Sequence, residues 1–355
     1  MTGRRTLGEF AVEEQRRIEG GKGELGALLL DLAAALKEIS ALVTRGRLAG
    51  ALGESGTANG QGERQQKLDV LSNAVLLDAC LRGDRLAAVA SEELDAPVPG
   101  GHARGEYLLA FDPLDGSSNL DVNITVGTIF SVLRRPEGAA EPGVEAFFQP
   151  GARQVCAGFA TYGPSTMLVL TTGHGVHGFT LDLPSGEFVL THPDMRIPEE
   201  TREFAVNASN ERFWEPPVRR YVDECLAGRT GPRAADFNMR WVASLVAEVY
   251  RILVRGGVFM YPRDSRDASR QGRLRLLYEA APMAFIVEQA GGLASTGRER
   301  LLDVVPRSLH ERVPVILGSR REVERLAAYH AAHDAGADLP YTNPLFNLRS
   351  LLRQS

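Results

Sequence analysis

The stretch FDPLDGSSNLD, Phe111 to Asp121, packs three aspartates, a proline, a glycine and two serines into eleven residues. Asp112 and Asp115 follow the apolar run YLLAF, so they fall where a strand ends and loop chemistry commonly begins. Pro113 fixes one backbone dihedral and removes a donor, which helps hold both carboxylates toward one point. Gly116 permits close backbone approach, and Ser117 and Ser118 supply hydroxyl and N–H donors. A divalent cation held by hard oxygens, beside an anion held by backbone N–H groups, needs this inventory. An Asp-Gly surface turn decorated with serines would use the same residues, and taken alone the stretch leaves both open.

Outward from this stretch, the texture is of strands: EYLLAF, VGTIFSVLRR, VCAGFATYG, TMLVLTTG, VHGFTLDL and GEFVLTH, punctuated by Gly and Pro turns. Their spacing predicts a large, mostly antiparallel sheet. Before it, the first ninety residues read as helical. LGALLLDLAAALKEISALVTRGRLA has apolar residues at helical spacing, GESGTANGQGE reads as a flexible polar loop, and RQQKLDVLSNAVLLDACLRG reads as a second long helix before the short strand LAAVAS. The polar, proline-bearing stretch HPDMRIPEETREF, His192 to Phe204, marks a boundary between a helix/sheet domain over 1–195 and an α/β domain over 196–355. In the second, strands near FAVNAS, VFMYP and PVILGS alternate with helices over PPVRRYVDECLAG, WVASLVAEVYRILVRGG, LRLLYEAAPMAFIVEQAGG and REVERLAAYHAAH. The fold class is α/β.

The 355 residues, 44% hydrophobic and 24% charged, have a soluble globular balance. A net charge of −5 argues against a nucleic-acid module, which wants a basic face. An acidic chain that handles an anion must concentrate positive charge locally, through bound metal or a few arginines. Cys80, Cys156 and Cys225 are far apart and give neither a disulfide framework nor a zinc signature. The N-terminus lacks an apolar signal core and no segment reaches the length of a membrane span. These features predict a cytoplasmic protein.

Further carboxylates extend the central pair. Glu92 and Glu93 follow LAAVAS, and Asp69 and Glu279 are single acids in largely apolar helical stretches. Each alone is ordinary solvated surface. Together with Asp112 and Asp115 they suffice for two or three Mg²⁺ ions beside a phosphate. The pairs His174/His177 and His330/His333 have helix-like spacing for metal but no third ligand, and turn or surface histidines are the better reading.

FDPLDGSSN resembles the signature of the lithium-sensitive, Mg²⁺-dependent sugar and inositol phosphatases. KLDVLSN, SEE, VGTIFSV, YGPSTMLVL, GGVFMYP, GRLRLLYEAAPMAFIVEQAGG and VPVILGS, in that order over nearly the whole chain, are similar to class I fructose-1,6-bisphosphatases of the bacterial Calvin-cycle type. The resemblance implies the layered α/β/α/β/α sugar-phosphatase fold, a cytoplasmic homotetramer, and Mg²⁺ as cofactor, two or three per subunit, with Mn²⁺ able to substitute. It implies hydrolysis of the 1-phosphate of fructose 1,6-bisphosphate by metal-activated water, in gluconeogenesis or the Calvin cycle. Glu92, Asp112, Asp115, Glu279 and the Leu114 carbonyl would be metal ligands. Glu93, assisted by Asp69, would accept the proton, without a covalent enzyme intermediate. Asp115, Gly116, Ser117 and Ser118 would meet the 1-phosphate and nearby sugar. Asn207, Tyr261 and Arg240, the last reaching in from a neighbouring subunit, would hold the 6-phosphate. Alternatives are an inositol or nucleotide phosphatase of the same superfamily, or a catalytically silent sugar-phosphate sensor.

Four departures qualify the resemblance. Ala74 replaces an aspartate that assists water activation in animal members, leaving more to Glu93. Trp241 and Asn210 stand where tyrosines line the 6-phosphate pocket, with Trp241 still a candidate donor. Arg273 replaces a lysine, exchanging a point charge for a planar fork. The altered pocket makes sedoheptulose 1,7-bisphosphate a second substrate candidate. At the family's AMP site, Glu106 precedes Tyr107 where a lysine is usual, and Gly26 lacks a hydroxyl; Tyr107 and Arg134 remain. This predicts weak or absent AMP inhibition.

Overall fold

The structure is a computed structural model that describes residues 5–17, 24–58, 64–101, 105–138, 142–266 and 272–337. The N-terminal apolar periodicity folds as three helices: α1 (Leu7–Arg17), α2 (Glu24–Arg45) and α3 (Lys67–Leu81). Between α2 and α3 the structure corrects the sequence expectation. The Gly-rich stretch holds a strand, β1 (Glu54–Ala58), paired antiparallel with β2 (Arg64–Gln66). Gly53 and Gly56 have φ of +96° and +80°, so glycine there supplies left-handed backbone for the short ribbon as well as loop freedom. The RQQ segment expected in the helix is strand β2, and α3 begins after it.

The large sheet holds β3 (Leu86–Ser91), β4 (Val98–Pro99), β5 (Tyr107–Asp115), β6 (Val126–Arg134), β7 (Gln154–Tyr162), β8 (Thr166–Thr171), β9 (His177–Asp182) and β10 (Glu187–His192). Their order is β10-β9-β8-β7-β6-β5-β3-β4. Only β3 and β5 pair parallel, so the expectation of a mostly antiparallel sheet is met. The second sheet has five strands in the order β12-β11-β13-β17-β15: β11 (Glu203–Val206), β12 (Asn238–Met239), β13 (Val258–Tyr261), β15 (Leu293–Ser295) and β17 (Val315–Gly318). A separate pair joins β14 (Leu274–Arg275) to β16 (Arg312–Val313). The remaining helices are α4 (Pro216–Leu226), α5 (Leu245–Arg255), α6 (Ala281–Gln289) and α7 (Arg320–Asp334).

Strand periodicity sorts the side chains into layers. On β6 and β7, Phe130, Val132, Cys156 and Ala160 face a core shared with α1, α2 and α3. Ile129, Ala157 and Phe159 face the opposite core, which contains α5, α6 and the inner face of the small sheet. Phe204, Val206, Val258, Met260 and Ile316 then face α4 and α7. The result is five layers, α/β/α/β/α, as expected. The middle helical layer is built from α5 and α6, and the loops leading into both helices bear on the end of β5.

Two helices begin later than their periodicity suggests. WVAS precedes α5 as an extended segment, and Ala243 in it has a φ of +60°. LRLLYEA opens as strand β14 and a π-helical turn, Leu276–Ala280, before α6. Such π turns concentrate at functional sites.

Candidate active site

Two side chains three residues apart on a regular strand point to opposite faces. Asp112 and Asp115 escape this because β5 is bulged. Asp112 pairs with Ile129 and Asp115 with Gly127, so three steps on β5 oppose two on β6. The extra residue returns both carboxylates to one side. Pro113 has no N–H for the ladder, and its carbonyl accepts instead from the Thr128 hydroxyl at 2.8 Å. Tyr162 stands 2.8 Å from the same Thr128 oxygen. Leu114 donates its N–H to Asp112 Oδ1 at 2.9 Å.

Glu279 joins the pair from the π turn. Oxygens of Asp112, Asp115 and Glu279 lie within 4.8 Å of one another, and all three residues are buried. The Arg275 N–H donates to Glu279 Oε2 at 2.6 Å. Asp115 Oδ2 accepts from Ser244 Oγ at 3.2 Å and from the Val246 N–H at 3.0 Å, both from the entry to α5. That approach requires Gly127, since a β-carbon there would sit 2.0 Å from the Ala160 carbonyl and 2.7 Å from Val246. Gly116 turns the chain with a φ of +76°, and Asn119, beyond it, ties back to the Ala243 carbonyl at 2.9 Å.

Around this trio stand the other acids. Glu92 leaves β3 with its N–H on the Phe111 carbonyl and its carboxylate in an ion pair with the buried Arg275. Glu93 accepts from Gln65 at 2.5 Å. Asp69, in the first turn of α3, accepts from the Gln66 N–H at 2.7 Å and is bonded by Ser117. Thus all six carboxylates converge, and Ser117 with them, while Ser118 is exposed at the rim.

Burial sets the electrostatics. It drives Asp112 well above the usual carboxylate range, with Glu92, Glu279 and Asp115 adding repulsion. Glu279 is pushed up to about 8, by burial first and Glu92 second, against the pull of Arg275. Asp69 rises to about 7 through burial, opposed by the Gln66 N–H and reinforced by Glu93. Asp115 rises only to about 6, because Val246 and Ser244 donate to it. Hard oxygen donors buried together in this way are a donor set able to hold a metal ion.

The residues expected at the distal phosphate sit on the small sheet. Asn207 and Tyr261 follow or end the adjacent parallel strands β11 and β13, where Val206 pairs with Met260. The carboxyl ends of parallel strands are the usual ligand crevice of such sheets. Arg240 follows β12, exposed, with Nε 3.8 Å from Glu203. Trp241 stacks on Phe259 with ring centroids 5.8 Å apart and planes 4° from parallel, so packing on the aromatic face dominates its role. Arg273 shares Asp264 with Arg266, at 3.4 and 2.9 Å.

Sequence reasoning missed Arg275, Ser244, Val246, Thr128 and Gly127. Arg275 carried a signal, a cation inside the apolar run LRLLYE, but the run scans as a helix in which an arginine would face water. His330, expected at a turn or the surface, is instead buried within α7 with its Nδ1 2.9 Å from the Leu326 carbonyl, and His177 accepts from the Asp194 N–H. The three cysteines are buried and free. Among the described residues no helix is long and apolar enough to cross a membrane.

Two sheets separated by helices, with a buried cluster of carboxylates able to hold a metal ion at the bulged end of β5, define a layered α/β protein. The family models for the fructose-1,6-bisphosphatase N-terminal and C-terminal domains match residues 5–193 and 197–331. The chain belongs to the fructose-1,6-bisphosphatase family. It is 58% identical over 99% of its length to fructose-1,6-bisphosphatase class 1 3 of Methylibium petroleiphilum, covering 99% of that protein. It is also 58% identical to the class 1 enzyme of Methylacidiphilum infernorum, covering 99% of this chain and 98% of that one. The crystal structure of the Leishmania major fructose-1,6-bisphosphatase in holo form superposes with a TM-score of 0.86 at 39% identity, over 93% of this chain and 99% of that one.

Proposed function

We propose that this chain hydrolyses fructose 1,6-bisphosphate to fructose 6-phosphate and phosphate, with Mg²⁺ as cofactor and Mn²⁺ able to replace it. The observation that carries this is the buried trio of Asp112, Asp115 and Glu279, whose oxygens lie within 4.8 Å of one another. Family membership supplies the substrate. Glu92 and the Leu114 carbonyl complete the ligand set in this reading. When bound, the metal neutralises phosphoryl oxygens and lowers the pKa of the attacking water.

The chain's own groups do the rest. Gly116, Ser117 and Ser118 offer N–H and hydroxyl donors to the 1-phosphate. Glu93, held by Gln65 at 2.5 Å and by its own N–H on Ser91 Oγ at 3.2 Å, accepts the proton of the attacking water. Asp69 lies against it, and Ala74 offers no second acid. Asn207, Tyr261 and Arg273 bind the 6-phosphate and sugar, with Arg240 reaching in from a neighbouring subunit and Trp241 a candidate donor. Arg273 presents a fork whose partner, Asp264, yields it to phosphate.

Sedoheptulose 1,7-bisphosphate is the second substrate in this reading, supported by Trp241 and Arg273 lining the distal end. The same reading makes the protein a cytoplasmic homotetramer of the Calvin cycle or gluconeogenesis. Division into two domains near residue 195 is supported by family models that end at 193 and resume at 197. AMP inhibition is weak or absent: Glu106 sets a carboxylate beside Tyr107, which is buried under the Arg134 guanidinium at 5.7 Å. Of KGELG, Lys22 to Gly26, which stands where the family's AMP-site helix starts, Lys22 and Gly23 lie outside the described residues. The test is phosphate release from both sugar bisphosphates, with inositol phosphate and nucleotide controls, in Mg²⁺ and in EDTA. Metal-dependent release from fructose 1,6-bisphosphate is expected. Release only from a control ester, or binding without release, refutes the assignment in favour of the superfamily alternative or the sensor. A low-micromolar AMP inhibition constant refutes the regulatory reading.

A further inference from the structure

We propose that Glu248 is a positioning residue for the metal centre, acting through the segment Val242–Val246. Glu248 has 0% of its surface exposed, although it lies on α5 well away from the acidic trio in sequence. A fully buried carboxylate persists only where its partners are built for it. One oxygen accepts the Val242 N–H at 2.7 Å. The other accepts from Arg251 Nε at 3.3 Å and Nη2 at 3.0 Å. Arg251 is fixed in turn by Glu203 at 2.8 Å.

The segment pinned in this way is held from both ends, by Glu248 on one side and by Asn119 and Asp115 on the other. Ala243, next to the pinned Val242, adopts a φ of +60°, a left-handed conformation that a non-glycine residue rarely takes. Strain of this kind survives where surrounding contacts over-determine it. Its result is delivered to the site directly: the Ala243 carbonyl holds Asn119, and Ser244 Oγ and the Val246 N–H hold Asp115. Glu248 thus fixes the backbone that orients both a candidate metal ligand and the turn after Gly116. The inference rests on the metal reading of that centre.

The groups hydrogen-bonded to the Glu248 carboxylate, Val242 N–H and Arg251, are donors, so in Glu248→Gln the amide NH₂ must oppose one of them unless it turns toward Glu203, which also faces this carboxylate. Mn²⁺ binding to the substrate-free protein, followed by electron paramagnetic resonance, is expected to weaken at least fivefold in this variant. Glu248→Asp, which keeps the carboxylate, should recover to within twofold of wild type. Circular dichroism and the melting temperature are read alongside. A folded Glu248→Gln protein whose Mn²⁺ affinity lies within twofold of wild type overturns the proposal, even if its melting temperature falls, because that is a purely structural role. If Glu248→Gln does not fold, Arg251→Lys replaces it, breaking the fork while keeping the charge, and unchanged Mn²⁺ affinity in that variant has the same force. A wild type that binds no Mn²⁺ defeats the metal reading and this inference together. A wild type that binds Mn²⁺ with variants equal to it defeats only the inference.

Discussion

Glu279→Gln should make the metal-free protein more stable above neutral pH while removing activity. The folded protein holds the Glu279 carboxyl at about 8 against an ordinary value of 4.5, chiefly through burial and then through Glu92. A folded pKa raised above the unfolded one favours the native state fully below the unfolded value, and the advantage is lost as pH rises through the folded value. At 1.36 kcal/mol per unit, the wild type should lose about 3 kcal/mol between about pH 5.5 and pH 8.5 from this group alone. Glutamine removes that loss and keeps an oxygen for the Arg275 N–H. Its NH₂ then faces Asp112 and Asp115 as a donor. Urea unfolding in EDTA should therefore show the variant equal to or slightly less stable than wild type at the lower pH, and more stable by about 1–3 kcal/mol at the higher, allowing for charge shared with Asp112. Millimolar Mg²⁺ should reverse the order, since only the wild type gains binding energy. A variant less stable than wild type at both pH values in EDTA would refute the electrostatic account and make Glu279 an ordinary structural acid.

Three other outcomes follow from the same geometry. Mg²⁺ uptake near pH 7 should release protons, because Asp69 and Glu279 hold them without metal at about 7 and about 8. Titration calorimetry should then show heats that scale with buffer ionisation enthalpy and an affinity that rises from about pH 6 to 8; buffer-independent heats count against this. Gly116→Ala imposes a β-carbon at a φ of +76° and 3.2 Å from Ser244 Cβ. It should cost about 1–2 kcal/mol of stability by melting and about tenfold or more in kcat/KM. Thr128→Val strips the Pro113 carbonyl and the buried Tyr162 hydroxyl of their shared partner, for about 1–3 kcal/mol. Tyr162→Phe removes one end of the chain and should cost only about 1 kcal/mol by the same unfolding assay.

Much of the centre was legible because carboxylates are conspicuous in apolar surroundings. Asp112, Asp115 and Glu279 each interrupt a run that is otherwise buried, Asp69 lies in a helix turn with exposed neighbours Val70 and Leu71, and the structure buries all four. What the spacing could not convey was the bulge. Three residues on a strand point opposite ways, and only the pairing with β6, a long-range fact, reveals the extra residue that reunites them. The donors to Asp115 lie 129 and 131 residues away at Ser244 and Val246, where the local pattern says only that a helix is starting. Arg275 was hidden for the opposite reason: its cation is buried by Glu92, a partner on another strand, and periodicity assigns an unpaired arginine to solvent. Gly53 and Gly56 read as loop because glycine signals backbone freedom without saying whether a strand uses it.

An acidic chain of net charge −5 that gathers its acids in its interior has set itself a cost that only a cation removes. Arg275 answers Glu92 and draws Glu279 down, and the N–H groups of Leu114, Val246 and Arg275 answer single oxygens. The unfavourable term worked out above for Glu279 is about 3 kcal/mol over the neutral range. A ligand that binds only the folded state at a hundred times its Kd returns about 2.7 kcal/mol. The two magnitudes are of the same order, so in the metal reading a bound divalent cation offsets much of the Glu279 contribution, while Asp112, Asp69 and Asp115 add to the cost in the same direction. The same balance explains why the centre is rigidly held rather than loosely acidic. A site that must tolerate its own repulsion before metal arrives needs the bulge, the π turn and the strained Ala243 segment to keep its oxygens within 4.8 Å.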